Sequence, residues 1–343
     1  MGTHESIGSV YRKIDFFSSA CRAWYRPIRG VYCARMLEFH RIMLGDQVRN
    51  SAFHKALQKV VVPGKTVVAD IGAGTGYLSF LAAKLGAKEC HLYEFGDVIG
   101  LAKTLAQKNK GTYRFIHKHS TQVRDPIHAD VIISETLGNY AWEEHLIENM
   151  NDARKRFLKP GGTLIPSRLS QWIAPVVTDR FHKEIDTWDI GESLDFSAAR
   201  QMSFQNIYVR TFRPEDLLVL GEKRYDDVDF TVQNDSRRRA DLSWTIAADV
   251  TVSGFAAWWE CELVPGVLLS TSPSKPRTHW EQIYLPVFAP LSLKIGDILT
   301  LRLTSDSSYD VGLNVTWDVA IKRNGKTIGP SEHHDMRRGY LEG

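Results

Sequence analysis

The chain has 343 residues, 43% of them hydrophobic and 24% charged, with 43 Lys and Arg against 40 Asp and Glu for a formal charge of +3. That length suits two domains rather than one. The near-balance of charge gives no sign of a nucleic-acid or membrane partner, and no apolar run approaches the roughly 20 residues a membrane span needs. The four cysteines, Cys21, Cys33, Cys90 and Cys261, are too scattered to suggest a metal site. With a polar segment from Met1 to Lys13 that lacks the apolar core of a secretory signal, they predict a reduced, cytoplasmic protein.

The first thirty residues are aromatic and basic, with Phe16, Phe17, Trp24 and Tyr25 punctuated by Pro27 and Gly30. They read either as a lid or docking arm or as a helix packed on the domain. From Tyr32 to Val60, apolar residues at Met36, Phe39, Met43, Leu44 and Val48 recur near a period of 3.6 and predict one helix, which Pro63-Gly64 stops. Strands are predicted at Thr66-Ile71, Glu89-Tyr93, Tyr113-Ile116, Asp130-Ser134 and Thr163-Pro166. Helices are predicted at Gly76-Leu85, Asp97-Lys108 and Trp142-Leu158. This alternation is the grammar of a doubly wound, Rossmann-like parallel sheet over residues 31–166.

After Arg168 the pattern changes. Leu299 to Thr304 and Leu313 to Ile321 alternate with a period of two, and Asn324-Gly325 predicts a hairpin turn. Residues 167–343 therefore read as an antiparallel barrel or sandwich. The stretch from Asp186 to Ser203, with Trp188, Asp189, Phe196 and Met202, is less strand-like and reads as an inserted helical arm.

Two motifs carry chemistry. Asp70-Ile71-Gly72-Ala73-Gly74-Thr75-Gly76 ends one strand and opens a helix, so its glycines let the backbone turn tightly against a ligand while free N–H groups face it. Glu94 closes the next strand, placed to accept hydrogen bonds from ribose hydroxyls. The GxGxG spacing favours S-adenosylmethionine over a dinucleotide; the plainer alternative is a turn that only packs the sheet. The second motif is Ser134-Glu135 to Glu144, two carboxylates nine residues apart after the fourth strand. A guanidinium presents five N–H donors in a planar fork, and paired carboxylates hold it by charge-assisted bonds. Such a clamp also concentrates charge on the nitrogens facing it and leaves electron density on the nitrogen to be methylated. Methyl transfer is an in-line displacement that needs positioning more than a strong base.

Motifs this far apart resemble the protein arginine N-methyltransferases, from about His40 to the end. Val68 to Gly76 is similar to the family's first motif, Tyr93-Glu94 to its ribose-binding acid and Ser134 to Glu144 to its double-Glu loop. Thr278-His279-Trp280, after Ser270-Thr271-Ser272-Pro273, is similar to its Thr-His-Trp loop. The resemblance implies that S-adenosylmethionine is the cofactor, with His40, Arg49, Asp70, Gly72, Gly74, Gly76, Glu94 and Thr121 at its site. It gives Glu135, Glu144, His279, Asp46 and Met43 to catalysis. Arg49 would pair with the methionine carboxylate, Met43 would line the pocket, and Asp46 would bond His279 across the domains. It also implies a head-to-tail homodimer through an arm at residues 186–217, and a protein or peptide substrate.

The chain departs from the family in three places. Val31-Tyr32-Cys33-Ala34 stands where an aromatic lid motif is usual, leaving only Tyr32 as a phenol. His119-Ser120-Thr121-Gln122 lacks the acid that contacts adenine, and Glu143 replaces a tyrosine. Glu143, Trp280 and Tyr32 are the expected substrate contacts. Leu146 lies where a second pocket methionine often occurs, which leaves the type of methylated product open. Two other readings compete with a peptide-directed enzyme: a methyltransferase of a small guanidine compound, and a catalytically silent dimeric binding protein.

Overall fold

The computed structural model describes residues 29–340 except 190 and 192, with side chains from residue 37 onward. The expected N-terminal lid lies outside the described residues. Tyr32 falls in the first helix but outside the described side chains.

Where one helix was expected there are two, α1 (Arg29–Gly45) and α2 (Gln47–Val60). Asp46 breaks them. Its backbone leaves the helical region (φ −75°, ψ 98°) and its side chain accepts the Arg49 N–H, making it the N-cap of α2. The apolar period runs on across the break because the cap residue is polar and interrupts no apolar position. His40 and Met43 therefore lie on one helix and Arg49 on the next, with Asp46 at the joint.

A parallel sheet follows: β1 (Val67–Ile71), β2 (Glu89–Glu94), β3 (Tyr113–His117), β4 (Ala129–Ser134) and β5 (Leu158–Ile165), in the order β3-β2-β1-β4-β5. Helices α3 (Tyr77–Lys84), α4 (Ile99–Ala106) and α5 (Leu146–Arg156) connect them. β1 is buried along nearly its whole length, as a central strand covered on both faces must be. β5 begins five residues before its expected start. It is an edge strand with a register shift against β4 between Ala129 and Val131, and an edge with a bulge tolerates Pro160 and two glycines. The strand order reverses between β1 and β4, and the crevice beyond their carboxyl ends is where such sheets bind ligands.

The second half is antiparallel throughout. One sheet has the order β7-β12-β10-β6-β8, from β6 (Arg168–Val176), β7 (Tyr208–Arg210), β8 (Lys223–Asp229), β10 (Val250–Val264) and β12 (Gln282–Leu293), with β11 (Val267–Ser270) pairing β10. The other runs β15-β14-β13-β9, from β9 (Arg237–Thr245), β13 (Ile298–Asp306), β14 (Asn314–Arg323) and β15 (Lys326–Asp335). Burial alternates along β13 and β14 as their sequence predicted. Asn324 and Gly325 both take positive φ, at 49° and 76°, in the hairpin turn between β14 and β15. Between β6 and β7 lie α6 (Arg180–Ile185), just before the expected arm, and α7 (Ser197–Phe204) within it, and Trp188 stacks on Phe196. One apolar core joins both halves, running from Val68 through Trp142 of the acidic hairpin to Trp259 and Trp317 of the antiparallel sheets.

Candidate active site

The Gly-rich loop and the acidic hairpin meet at the switch point. Ile71, the last residue of β1, pairs with Ser134, the last of β4, so Gly72 and Glu135 leave the sheet side by side. They are packed too closely for any other residue at 72. Gly72 has φ +73°, and a Cβ there would sit 2.6 Å from Thr136 Cγ2. At Gly74 (φ +53°) a Cβ would come 2.9 Å from His40 Cε1. At Gly76 (φ +83°) it would strike Phe80 and Leu92.

Glu94 fixes this loop from below. Its carboxylate accepts the Gly74 N–H at 3.0 Å and the Gly96 N–H at 2.6 Å. Asp70, expected at the cofactor, lies beneath the loop. It is 1% exposed and its Oδ2 accepts the Ser79 hydroxyl at 2.7 Å, so it ties the loop to α3. Burial pushes its carboxyl up to about 7, a shift the Ser79 bond only partly offsets.

The sign of that shift gives a prediction. A carboxyl with a usual value of 3.8 that is raised to about 7 in the fold binds more protons folded than unfolded across that window. Stability therefore falls as pH rises through it and levels off above. Asp70→Asn should remove the fall. Denaturant midpoints at a series of pH values should show the variant gaining on the native protein up to about pH 7 and tracking it beyond. Parallel curves throughout would contradict the assignment.

Arg49 is the centre of the site. Its Nε donates to Glu135 Oε2 at 2.8 Å, its Nη2 donates to the same oxygen, and its Nη1 donates to Asn50 Oδ1 at 2.9 Å. The two side chains are only 3% and 6% exposed, and the guanidinium lies over the rings of Phe53 and Tyr77. Glu135 therefore already holds a guanidinium, that of its own chain. His40 is close enough to feel both charges. Burial lowers its pKa against the pull of Glu135, and its Nδ1 is buried without a hydrogen-bond partner. Thr121 lies in a short turn after β3, with Oγ1 2.8 Å from His119 Nδ1. Met43 is half-buried at the end of α1.

The antiparallel half closes the site through His279. Both its backbone N–H and its Nδ1 lie 2.8 Å from Asp46 Oδ2, and both side chains are at most 5% exposed. Burial pushes the Asp46 carboxyl up. The hydrogen bonds from His279 and from the Arg49 backbone more than offset this and leave it below the usual carboxylate range. Trp280 was expected at the substrate. It is instead 5% exposed, with Nε1 donating to the Leu137 carbonyl at 2.7 Å, so it clasps the hairpin from behind.

The hairpin itself departs from expectation at its far end. Glu143 folds back: its Oε1 accepts the Tyr140 N–H at 3.3 Å, and its side chain fills the space beside Gly138. Glu144 and His145 both take left-handed backbone conformations, φ 55° and 56°, and Glu144 is exposed. Consecutive non-glycine residues there hold strain that their surroundings must maintain. Asn149 Nδ2 donates to the Glu144 carbonyl, His145 Nδ1 lies 3.1 Å from the Ser307 carbonyl, and the Tyr309 ring packs 4.8 Å from His145. The Tyr309 hydroxyl and N–H bond Asn149 and Glu148 in turn. Further along the hairpin, Asn139 Oδ1 accepts the Glu281 N–H, Trp259 Nε1 donates to Gly138 and Trp142 Nε1 donates to Asp226. Sequence reading missed Asn139, His145, Asn149 and Tyr309, and only the density of Trp and Asn in and near the hairpin hinted at such bracing.

A doubly wound parallel sheet with a Gly-rich first loop, running into an antiparallel sheet pair that closes its switch point, defines a Rossmann-like methyltransferase with an appended β-barrel. The comparisons narrow the class. Residues 168–322 match the arginine methyltransferase oligomerization subdomain, and residues 53–194 match the ribosomal protein L11 methyltransferase family. A probable protein arginine N-methyltransferase 6 of Arabidopsis thaliana is 26% identical over 319 residues, 79% of this chain and 73% of that protein. Protein arginine N-methyltransferase 1 of Dictyostelium discoideum is 28% identical over 76% of this chain and 79% of its own. The histone-arginine methyltransferase CARMER of Anopheles gambiae is 28% identical over 87% of this chain, which spans 50% of that relative. In structure, the Trypanosoma brucei PRMT1 enzyme-prozyme complex with AdoHcy superposes with a TM-score of 0.78 at 22% identity, covering 87% of this chain and 98% of that one. Arabidopsis thaliana protein arginine methyltransferase 10 gives 0.72 at 21%, covering 88% and 98%. Over most of its length the chain is thus similar to protein arginine N-methyltransferases, and over residues 168–322 to their oligomerization subdomain.

Proposed function

We propose that this protein transfers methyl groups from S-adenosylmethionine to a guanidino nitrogen of arginine in a protein or peptide. The observation that carries the reading is the guanidinium already bonded to Glu135 beside the Gly-rich loop. A pocket that holds one guanidinium in buried, charge-assisted bonds is chemically suited to another.

The residues present fit the cofactor. The left-handed turns at Gly72 and Gly74 let the loop backbone bend tightly beside Thr136 and His40, His40 Nδ1 is buried with no partner, and Arg49 is a cation fit for a carboxylate. His40, Arg49, Gly72, Gly74, Gly76, Glu94 and Thr121 would hold it, with Asp70 positioning the loop. When bound, S-adenosylmethionine supplies an electrophilic methyl on its sulfonium. Glu135 then orients the substrate guanidinium and draws its positive charge inward, with Glu144 as the second carboxylate at the mouth. Asp46 and His279 hold the domains at a fixed spacing beside the acceptor, and Met43 borders it.

The protein assembles as a homodimer through the segment around residues 186–217. Support comes from its exposed Leu194 (58%) and Phe196 (38%) and from the oligomerization-subdomain match. It works in the cytoplasm. Cys90 and Cys261 are free, buried thiols, as a reducing compartment allows, and among the described residues no helix is long and apolar enough to cross a membrane.

Incubation with labelled S-adenosylmethionine and a panel of arginine-rich peptides, free arginine and small guanidines, read by mass spectrometry, tests the reading. Label is expected on peptide arginine, with fragment masses giving the product. Transfer to small guanidines alone would overturn the peptide assignment, and cofactor binding without any transfer would overturn the activity.

A further inference from the structure

The loop that delivers His279 to Asp46 has a second face. From Thr271 to Trp280 it walls a cavity of about 240 Å³, closed on the other side by Thr211 to Pro214. Its charged lining is Arg213, Lys275, Arg277 and Glu281. Arg213 and Arg277 are 72% and 75% exposed and stand 3.8 and 3.7 Å from Glu215 and Glu281, too far and too wet for those carboxylates to satisfy them. Lys275 is exposed and, among the described residues, makes no ion pair.

Arg277 is nevertheless aimed. Its Nη2 donates to Thr211 Oγ1 at 3.2 Å, and the Thr211 hydroxyl donates to Glu281 Oε1. Glu281 is anchored by its own N–H on Asn139 of the acidic hairpin. Its Oε2 is buried without a hydrogen-bond partner, an acceptor that a bound chain's N–H would satisfy. Trp280 lines the same cavity while donating to Leu137, two residues past Glu135. The cavity and the guanidinium pocket are thus built on opposite sides of one hairpin.

We propose that this cavity receives an acidic side chain of the arginine-bearing substrate. Its carboxylate would sit among Arg213, Lys275 and Arg277, and a neighbouring backbone N–H would meet Glu281 Oε2. The inference rests on the function proposed above and adds a specificity to it: an Asp or Glu near the target arginine in sequence. Charge complementarity of this kind chooses between partners more than it tightens any one.

The test uses the full chain and single-arginine peptides carrying Glu, Gln or Lys at each position flanking the arginine. The expected result is a kcat/KM for Glu over Lys of about tenfold, carried by KM and confined to one or two positions. Lys275→Glu, and Lys275→Glu with Arg277→Glu, should invert that preference and leave the rate on the Gln peptide unchanged. Methylation of the Gln peptide with the same Glu-to-Lys ratio in native and variant proteins overturns this inference alone. Absence of transfer to every peptide overturns the proposed function, and this inference with it.

Discussion

Glu135→Gln is expected to lower kcat/KM for methyl transfer by about a thousandfold, with the fold intact. The amide keeps the size and one acceptor of the carboxylate but removes its charge. A guanidinium in the pocket would then be neither fully neutralised nor polarised toward one nitrogen. The variant should also be less stable. Arg49 and Glu135 are 3% and 6% exposed, so the variant leaves Arg49 buried beside a neutral group. Removing one partner of a buried pair outright costs about 3–5 kcal/mol, and an amide that still accepts should fall below that range. Initial rates, denaturant midpoints and cofactor titration on the same preparations separate the effects. Transfer at the native rate would remove Glu135 from the mechanism, and equal loss of cofactor binding and rate would make it a cofactor residue instead.

The second large effect is expected at Asp46, which has two unrelated duties. One oxygen caps α2 through the Arg49 N–H, and the other receives both the backbone and the ring of His279. Loss of an N-cap costs about 1 kcal/mol, and each buried donor left unpaired costs about 1–3 more. Asp46→Ala should therefore destabilise by at least about 3 kcal/mol and reduce activity about a hundredfold, since the same joint sets where Arg49 and His279 stand. Asp46→Ala combined with His279→Ala should cost little more than Asp46→Ala alone, because both remove one interaction. Full additivity in stability and rate would mean that the two residues do not act together. The bond should also be acid-sensitive. The Asp46 carboxyl is held below its usual value, so its contribution is complete above that value and fades as pH drops through the lowered one.

The parts of this site that could be read from the sequence are those in which one short segment does its work through its own backbone. Gly72 and Gly74 betray themselves because nothing else fits their φ and their neighbours, and Asn324-Gly325 announces its turn for the same reason. Glu135 stood out in the sequence because it directly follows the fourth strand of the parallel sheet. The break at Asp46 was not, since a polar cap leaves an apolar repeat undisturbed on both sides. Nor was the pairing of Arg49 with Glu135, 86 residues away, or the bracing of His145 by Tyr309. Periodicity tells which face of an element is buried, not which distant side chain it meets there. Glu143 and Trp280 were read as substrate contacts from their position in motifs. Packing gives each a duty that position in a motif does not reveal: Glu143 fills the space beside Gly138, and Trp280 donates to the carbonyl of buried Leu137.

If Glu135 receives the substrate as proposed, the Arg49 guanidinium bonded to it is a competitor. Glu135 is never an empty receptor in this state, because a tethered competitor of the same chemistry sits on it. Under the function proposed above, an incoming arginine competes with Arg49 for Glu135 Oε2, and its apparent dissociation constant rises as the fraction of molecules with that oxygen released falls. Any anion that engages Arg49 from the glycine side enlarges the fraction and sharpens the response to substrate. On that reading, a single side chain with two possible partners makes the two halves of the pocket interdependent.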